Sequence, residues 1–407
     1  MLAINNKKFH LMSIGLISAL MGIGQNGLLV SLPFLVEQSA FDLPTWSALI
    51  AVGSLLFLPS APFWGRYSDK HGPNRVVIQA LAGMTISFLL LAVFSMISLS
   101  GDINVTLCFL GLIIARVIYG CTVSGMVPAS QHWAIILCGE QHRLKAITAV
   151  SIGLSSGRLL GPIVSIFALK LNPFAPLFLM VLLPFIALIF ALILPIPKVE
   201  SSISNNIKRE SWLPNKSLSP YLITGLLLCA SVALLQYSLS PLIYSFTEWP
   251  SEKLSDAIGI LLSISASMTL FSQVWIVKKE KVTPRMMYWV GSIAFLVGMS
   301  LFTIPHLLAF GLAMAVTSVG AALLVPAYTA SATDKWSSSP GTVAGYISMS
   351  HTIGYGVAAM LAFSVVIDPL YPIYLCIAFS GVIVTLALWT RGESKKKAAE
   401  TDVSRQA

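Results

Sequence analysis

Charged side chains are scarce in this chain of 407 residues, in which Asp, Glu, Lys and Arg together make up 10%. A soluble globular domain carries roughly a quarter charged residues, so this composition excludes an ordinary soluble protein. Hydrophobic residues amount to 56%, and the mean hydropathy is +0.83. A membrane-spanning helix needs about 20 apolar residues, and the chain contains many such stretches. We therefore predict an all-α membrane protein embedded in the lipid bilayer.

Cysteine is also infrequent, and its spacing carries no pattern. The five cysteines are scattered without a CxxC pair: Cys108, Cys121, Cys138, Cys229 and Cys376. This arrangement excludes a disulfide framework and a cysteine metal site, and we expect these residues to be small buried side chains. No metal and no cofactor is predicted.

Apolar runs divide the chain into twelve predicted transmembrane helices in two halves of six. They lie near residues 11–36, 45–64, 76–99, 104–128, 146–169, 174–196, 219–245, 255–277, 286–304, 307–330, 341–366 and 370–390. A polar, basic stretch separates the sixth run from the seventh and reads as a flexible linker. The predicted division is 1–197 for the first half, 198–218 for a cytoplasmic connector, 219–391 for the second half and 392–407 for a cytoplasmic tail.

The distribution of Lys and Arg predicts the orientation. Only Lys170 and Lys253 fall in loops predicted to be external, and only Arg116 and Arg158 fall inside spans. All other members of the 25 basic residues collect in alternate loops and at the two ends, as the positive-inside rule requires. Both termini are therefore expected in the cytoplasm, and the net charge of +9 needs no nucleic-acid partner. Short loops suit a bacterial inner membrane.

A weak internal repeat relates the two halves. At an offset of about 197 residues Ser151 aligns with Ser348, and Gly157 aligns with Gly354. Near the start of each half, Gln25 aligns with Gln236 at an offset of about 211. Val127-Pro128-Ala129 likewise aligns with Val325-Pro326-Ala327. The order of these matches predicts two homologous six-helix units, as in transporters built from repeats.

The loop after the second span resembles a known family signature. It reads Gly65-Arg-Tyr-Ser-Asp69-Lys70-His-Gly72-Pro-Asn-Arg75, and is similar to the G-x-L-A-D-[RK]-x-G-[RK]-[RK] loop of the major facilitator superfamily. Pro73 and Asn74 replace two basic residues and leave Arg75 to supply the positive charge. The resemblance implies that Asp69 lies against a helix N-terminus and latches the halves in one state. A carboxylate is favoured there by the unpaired N–H groups and the helix dipole.

Two further stretches strengthen the resemblance. Arg116 to Gly120 in the fourth span is similar to the family's R-x-x-x-G pattern, and Gly157, Gly161 and Pro162 in the fifth span resemble its antiporter motif G-x-x-x-G-P-x-x-G-G. Ser165 and Ile166 replace the closing glycine pair. Small residues four apart allow two helices to approach closely. The family resemblance implies proton-coupled export by this fold.

Carboxylates are missing from the predicted membrane cores, since all 16 acidic residues fall outside them. Arg116 and Arg158 both lie near mid-bilayer depth by a rise of about 1.5 Å per residue. Each costs about 2.5–3.5 kcal/mol to insert, so each must face a cavity or find partners. A cavity with guanidinium groups and no fixed anion favours an anionic solute. Packing against carbonyl or amide groups is the alternative for both.

Other polar residues at mid-depth are candidates for the same site. Gln25, Asn26, Gln236 and Tyr237 are candidate substrate-binding residues, although such side chains also join helices. His351, in the eleventh span, is a candidate for proton coupling because imidazole titrates near neutral pH. A packing role for His351, a proton carried by the substrate, or Asp42 or Glu37 at the outer mouth are the alternatives.

These features predict a monomeric proton-coupled exporter of a small, polar, anionic organic molecule. A siderophore or related metabolite is the preferred class, with drug efflux as a relative. An importer of an organic anion or iron chelate by proton symport is the alternative, and a transporter-like sensor is a third. An enzyme is not expected, because His132, Glu140 and His142 in the predicted loop between spans four and five lack metal-ligand spacing.

Overall fold

The computed structural model describes residues 2–99, 104–193, 214–249, 251–277 and 282–406, and these ranges are almost entirely helical without a strand. The α-helices in chain order are α1 (Leu2–Glu37), α2 (Leu43–Leu55), α3 (Phe57–His71), α4 (Pro73–Ile97), α5 (Val105–Val123), α6 (Met126–Cys138), α7 (Arg143–Leu169), α8 (Ala175–Ile193), α9 (Ser219–Thr247), α10 (Ser251–Ser272), α11 (Pro284–Leu301), α12 (Leu307–Lys335), α13 (Pro340–Leu361) and α14 (Tyr371–Gln406).

These helices account for the twelve predicted spans. Four spans consist of two pieces: α2 with α3, α5 with α6, α10 with a π-helical turn over Gln273–Val277, and α13 with a 3-10 turn over Ala362–Val366. Eleven stretches of the described ranges are long and apolar enough to cross a membrane. The remaining predicted span corresponds to α11, which has 18 residues. Its first two residues, Pro284 and Arg285, lower its average hydropathy.

Packing groups the helices into two units. The first comprises Met1–Trp212 and Trp336–Met349, and the second comprises Leu213–Lys335 and Ser350–Ala407. Residues 198–213 of the predicted connector lie outside the described ranges, and Lys216–Leu218 forms a 3-10 turn just before α9. The domain boundaries at this connector therefore stay a prediction.

In the first unit, α1 and α7 meet backbone to backbone. A Cβ placed on Gly153 would collide with the carbonyl oxygen of Gly15, and one placed on Gly157 would collide with that of Ala19. Gly161 continues the same face one turn later, within the G-x-x-x-G-P stretch. The three glycines therefore form a groove into which the backbone of α1 fits, as small residues do in membrane helix pairs.

The second unit repeats this contact between α9 and α13. A Cβ on Gly354 would collide with the carbonyl oxygen of Leu226. Gly354 is the residue that aligns with Gly157 in the internal repeat, so the same packing requirement recurs at equivalent positions. The aligned prolines, Pro128 in α6 and Pro326 in α12, are both buried.

The cysteines follow the expectation of burial in part. Cys108, Cys229 and Cys376 are buried, whereas Cys121 and Cys138 are partly exposed. None of the five cysteines, all of which lie in the described ranges, forms a disulfide.

The glycine contacts predict a difference in stability between neighbouring glycines. Gly157→Ala and Gly354→Ala should each lower stability by about 1–3 kcal/mol, because the helices must separate to admit the methyl group. Thermal unfolding of the purified protein in detergent measures this change. Gly356→Ala is the matched control, because nothing lies within 4 Å of a Cβ at Gly356. Equal melting temperatures for all three variants would contradict the backbone contact.

Candidate functional site

The signature loop joins α3 to α4 through a sharp turn. Gly72 has φ +91° and ψ 145°, a backbone conformation that an L side chain rarely adopts, and Pro73 begins α4. Gly65 lies earlier, within α3, where a Cβ would collide with the carbonyl oxygen of Gly341. The two glycines of the signature are thus needed for different reasons. Gly72 allows a backbone turn with positive φ, and Gly65 allows the backbones of α3 and Gly341 to approach closely.

Asp69 caps the N-terminus of α13. Its carboxylate accepts hydrogen bonds from the amide of Gly341 at 2.8 Å, the amide of Thr342 at 2.7 Å and the hydroxyl of Thr342 at 2.6 Å. These amides belong to the first turn of a helix, where N–H groups have no partner within the helix. The negative charge is also stabilised by the positive end of the helix dipole. Lys70 and Arg75 are exposed.

Sequence reasoning did not identify the residues that surround Asp69. His132 was expected in a loop, but it lies in α6 and is 7% exposed. Its Nδ1 is 2.8 Å from the hydroxyl oxygen of Ser68 and 3.6 Å from Oδ1 of Asp69. Arg66 donates a hydrogen bond to the hydroxyl of Tyr346. The fourth span continues beyond a break at Ser124 and Gly125 into α6, and His132 is therefore a buried residue of this helix. The hydropathy pattern does not reveal this continuation of the span.

The cap predicts a local effect of removing Asp69. Asp69→Ala should weaken the first turn of α13 by about 0.5–2 kcal/mol, because an alanine cannot accept from the freed amides. Asp69→Asn should lose less, since asparagine is also a good cap. Amide hydrogen exchange in a peptide over residues 340–346 should accelerate in Asp69→Ala.

Asp42→Ala serves as the control for this experiment. Asp42 caps α2 by accepting from the amide of Thr45 at 3.0 Å, so its removal should leave exchange in residues 340–346 unchanged. Unchanged exchange there in Asp69→Ala would contradict the assignment of the cap.

Arg116 is buried among protein groups of the first unit, at 4% exposure. Its Nε donates to the carbonyl oxygen of Leu49 on α2 at 3.2 Å, and its guanidinium carbon lies 4.7 Å from the centre of the Tyr119 ring. A Cβ on Gly53 of α2 would approach Nη2 of Arg116 to 2.8 Å. One turn later, Gly120 admits the backbone of α2 at Gly53. The R-x-x-x-G pattern therefore packs α5 against α2.

Arg158 has the opposite environment, because its side chain is exposed although it lies near the middle of α7. Asn26 on α1 donates from Nδ2 to the carbonyl oxygen of Arg158 at 2.8 Å. Gln25 and Asn26 are both half-buried. The tight pairing of α1 and α7 thus brings Asn26 and Arg158 together, which sequence separation alone does not indicate.

In the second unit, Gln236 and Tyr237 are exposed on α9. His351 on α13 is half-buried, and its Nε2 lies 2.5 Å from the hydroxyl oxygen of the fully buried Tyr328 on α12. A Cβ on Gly225 of α9 would lie 3.0 Å from the imidazole ring. The histidine is therefore held between α9 and α12, with its Nε2 next to the Tyr328 hydroxyl.

Asp42, a candidate for proton coupling at the outer mouth, has a different role in the structure. Its Oδ1 also accepts from the hydroxyl of Thr45 at 2.5 Å. This hydrogen bond and that from the Thr45 amide lower the pKa of Asp42 below its ordinary value. The carboxylate is thus ionised at neutral pH, which suits a helix cap better than a proton carrier.

Within the described residues, no group of three or more His, Cys, Asp or Glu side chains is placed to hold a metal ion.

Comparison with known proteins identifies the class. The family model of the Major Facilitator Superfamily matches residues 14–359. The chain therefore belongs to this superfamily, and it is a multi-pass membrane transporter and not an enzyme.

Solved structures share the fold at low sequence identity. The crystal structure of the human organic anion transporter MFSD10 (TETRAN) superposes with a TM-score of 0.71 at 18% identity, over 93% of this chain and 97% of that one. A variant of the E. coli fucose:proton symporter FucP gives a TM-score of 0.71 at 14% identity, over 94% and 99%. A bacterial homologue of the iron transporter ferroportin gives 0.68 at 15% identity, over 93% and 98%.

One curated relative shares part of the sequence. The Staphyloferrin B transporter of Staphylococcus aureus (strain NCTC 8325 / PS 47) is 26% identical over 133 residues. The aligned stretch covers 32% of this chain and 28% of that protein. The chain thus matches less than a third of this relative's length.

Proposed function

We propose that this transporter exports a small, polar, anionic organic molecule in exchange for protons, and that a siderophore or related metabolite is the class of solute. The proposal places the protein in a bacterial plasma membrane with both termini in the cytoplasm. The transporter is further proposed to act as a monomer and to need no cofactor.

The exposed guanidinium of Arg158 carries the proposal. An exposed charge near the middle of a membrane helix costs several kcal/mol if it faces lipid. The cost is relieved when the group faces a hydrated pathway in which an anion binds. No predicted membrane core contains a carboxylate to neutralise Arg158 or to recognise a cationic drug. An anionic solute supplies the missing charge.

Arg116 contributes in a different manner. Its bond to the Leu49 carbonyl and its stacking on Tyr119 satisfy part of the guanidinium inside the helix packing. We assign Arg116 the task of holding α5 against α2, and we assign solute contact to Arg158 with Asn26 and Gln25. Gln236 and Tyr237 are the candidate hydrogen-bonding residues of the second unit.

Two observations support the class of solute and the direction of transport. The partial relative is named for transport of staphyloferrin B, which agrees with a siderophore as solute. The glycine groove of α7 retains Gly157, Gly161 and Pro162 of the antiporter pattern, which favours export.

Cells that lack the gene should therefore accumulate more of the solute than the parent strain, whereas a lower accumulation would reverse the direction.

Counterflow in proteoliposomes tests the solute class and separates the two arginines. With citrate and staphyloferrin B as probes, Arg158→Gln should raise KM at least about tenfold, because a charge-assisted hydrogen bond is lost. Its melting temperature should be unchanged. Arg116→Gln should instead lower stability by about 1–3 kcal/mol, because the charge-assisted hydrogen bond to the Leu49 carbonyl and the stacking on Tyr119 are lost.

Arg158→Lys is the matched control, since it keeps the positive charge and should lose less affinity than Arg158→Gln. The anionic-solute proposal fails if no polycarboxylate shows counterflow, or if KM is unaltered in Arg158→Gln.

Proton coupling through His351 predicts a change in the pH dependence of transport. Imidazole is a side chain that can take up and release a proton under physiological conditions. His351→Asn should therefore abolish the stimulation of transport by an imposed pH gradient, while solute exchange without a gradient continues. His306→Asn is the control, because His306 is exposed in the loop between α11 and α12. Gradient-driven transport that persists in His351→Asn would assign the coupling to another group.

A further inference from the structure

Tyr355 on α13 occupies the position that Arg158 occupies on α7. In the internal repeat, the offset that aligns Gly157 with Gly354 also aligns Arg158 with Tyr355. Each follows the glycine that contacts a helix backbone, Gly157 on Ala19 in the first unit and Gly354 on Leu226 in the second. Each side chain is exposed near mid-helix, with Tyr355 at 44%.

The exposed surface of α13 is divided into a polar and an apolar sector. At 3.6 residues per turn, His351 and Tyr355 lie within about 40° of each other, and Ala359 follows one turn later on the same side. Ile353 and Met360 lie about 140–160° away from Tyr355 around the helix axis. They are 37% and 75% exposed, respectively. Because lipid tails favour apolar side chains, Ile353 and Met360 suit the bilayer, whereas the sector of Tyr355 suits water and solute.

The first unit shows the same division on α7. Ser151 and Ser155 lie within about 60° of Arg158 around the helix, while Ile163 and Phe167 lie about 140–180° away from it. The latter two are 45% and 63% exposed. The contacts at Gly157 and Gly354 therefore fix the rotation of α7 and α13, so that Arg158 and Tyr355 are exposed at equivalent positions, each in its own unit.

We propose that Tyr355, which stands at the repeat position of Arg158, contacts the solute and binds an uncharged, hydroxyl- or amide-bearing part of it. This inference rests on the proposed function for the nature of the solute. A phenol offers a hydrogen-bond donor and acceptor together with an apolar ring, but no charge. The repeat has thus kept the exposed position and changed its chemistry from a guanidinium to a phenol.

Cysteine accessibility tests the position of Tyr355 without knowledge of the solute. Cys121 and Cys138, which are partly exposed, are first replaced by serine. Tyr355→Cys should then react with a charged, membrane-impermeant methanethiosulfonate at least about tenfold faster than Ile353→Cys, because a thiol in lipid does not ionise. Ala359→Cys, a small change in the polar sector, should also react fast. Rates for Tyr355→Cys and Ala359→Cys that do not exceed that of Ile353→Cys overturn the proposal.

Transport kinetics then test the contact itself. For citrate or staphyloferrin B, Tyr355→Phe should raise KM about threefold to tenfold with kcat retained, since one neutral hydrogen bond is removed. Tyr374→Phe is the control, because Tyr374 on α14 is exposed to a similar degree, 51%. An unchanged KM in Tyr355→Phe overturns the contact. Fast labelling of Tyr355→Cys without transport of either probe would instead refute the proposed solute class.

Discussion

Close backbone contact between two helices is the constraint on which each unit depends. The backbones of α1 and α7 touch because Gly153, Gly157 and Gly161 lack side chains on one face, and α9 and α13 touch at Gly354. Within a bilayer, apolar burial does not drive helices together, so dense packing of small residues supplies the attraction. These contacts also fix the rotation of α7 and α13 about their axes, and this rotation decides which polar side chains become exposed.

The two arginines within predicted spans show that helix packing can place the same side chain in different environments, buried at Arg116 and exposed at Arg158. Arg116 finds a carbonyl oxygen and an aromatic face between α2 and α5, and its charge is enclosed by protein. Arg158 follows the glycine that touches α1 and is turned to the exposed side of the same unit. The enclosed guanidinium stabilises the helix packing, whereas the exposed one is the group to which we assign solute contact.

The signature loop depends on a different interaction, between a carboxylate and a helix terminus. Asp69 accepts from two amides and one hydroxyl of the first turn of α13. Gly65 lets the α3 backbone approach that turn, and Gly72 takes the positive φ that redirects the chain into α4. The spacing of the residues in this loop follows from these geometric needs, while His132 adds a buried imidazole next to the capping carboxylate.

The amino-acid sequence by itself determined the fold class and the apolar spans, because hydropathy acts along the chain without regard to neighbours in space. It also predicted Asp69 at a helix N-terminus and a glycine contact in the fifth span. The tertiary structure decided which residues meet: Asn26 with the Arg158 carbonyl, Arg116 with Leu49, His351 with Tyr328 and His132 with Ser68. These pairs depend on the rotation of each helix about its axis, which is set by side-chain packing between distant segments, and hydropathy along the chain does not report it.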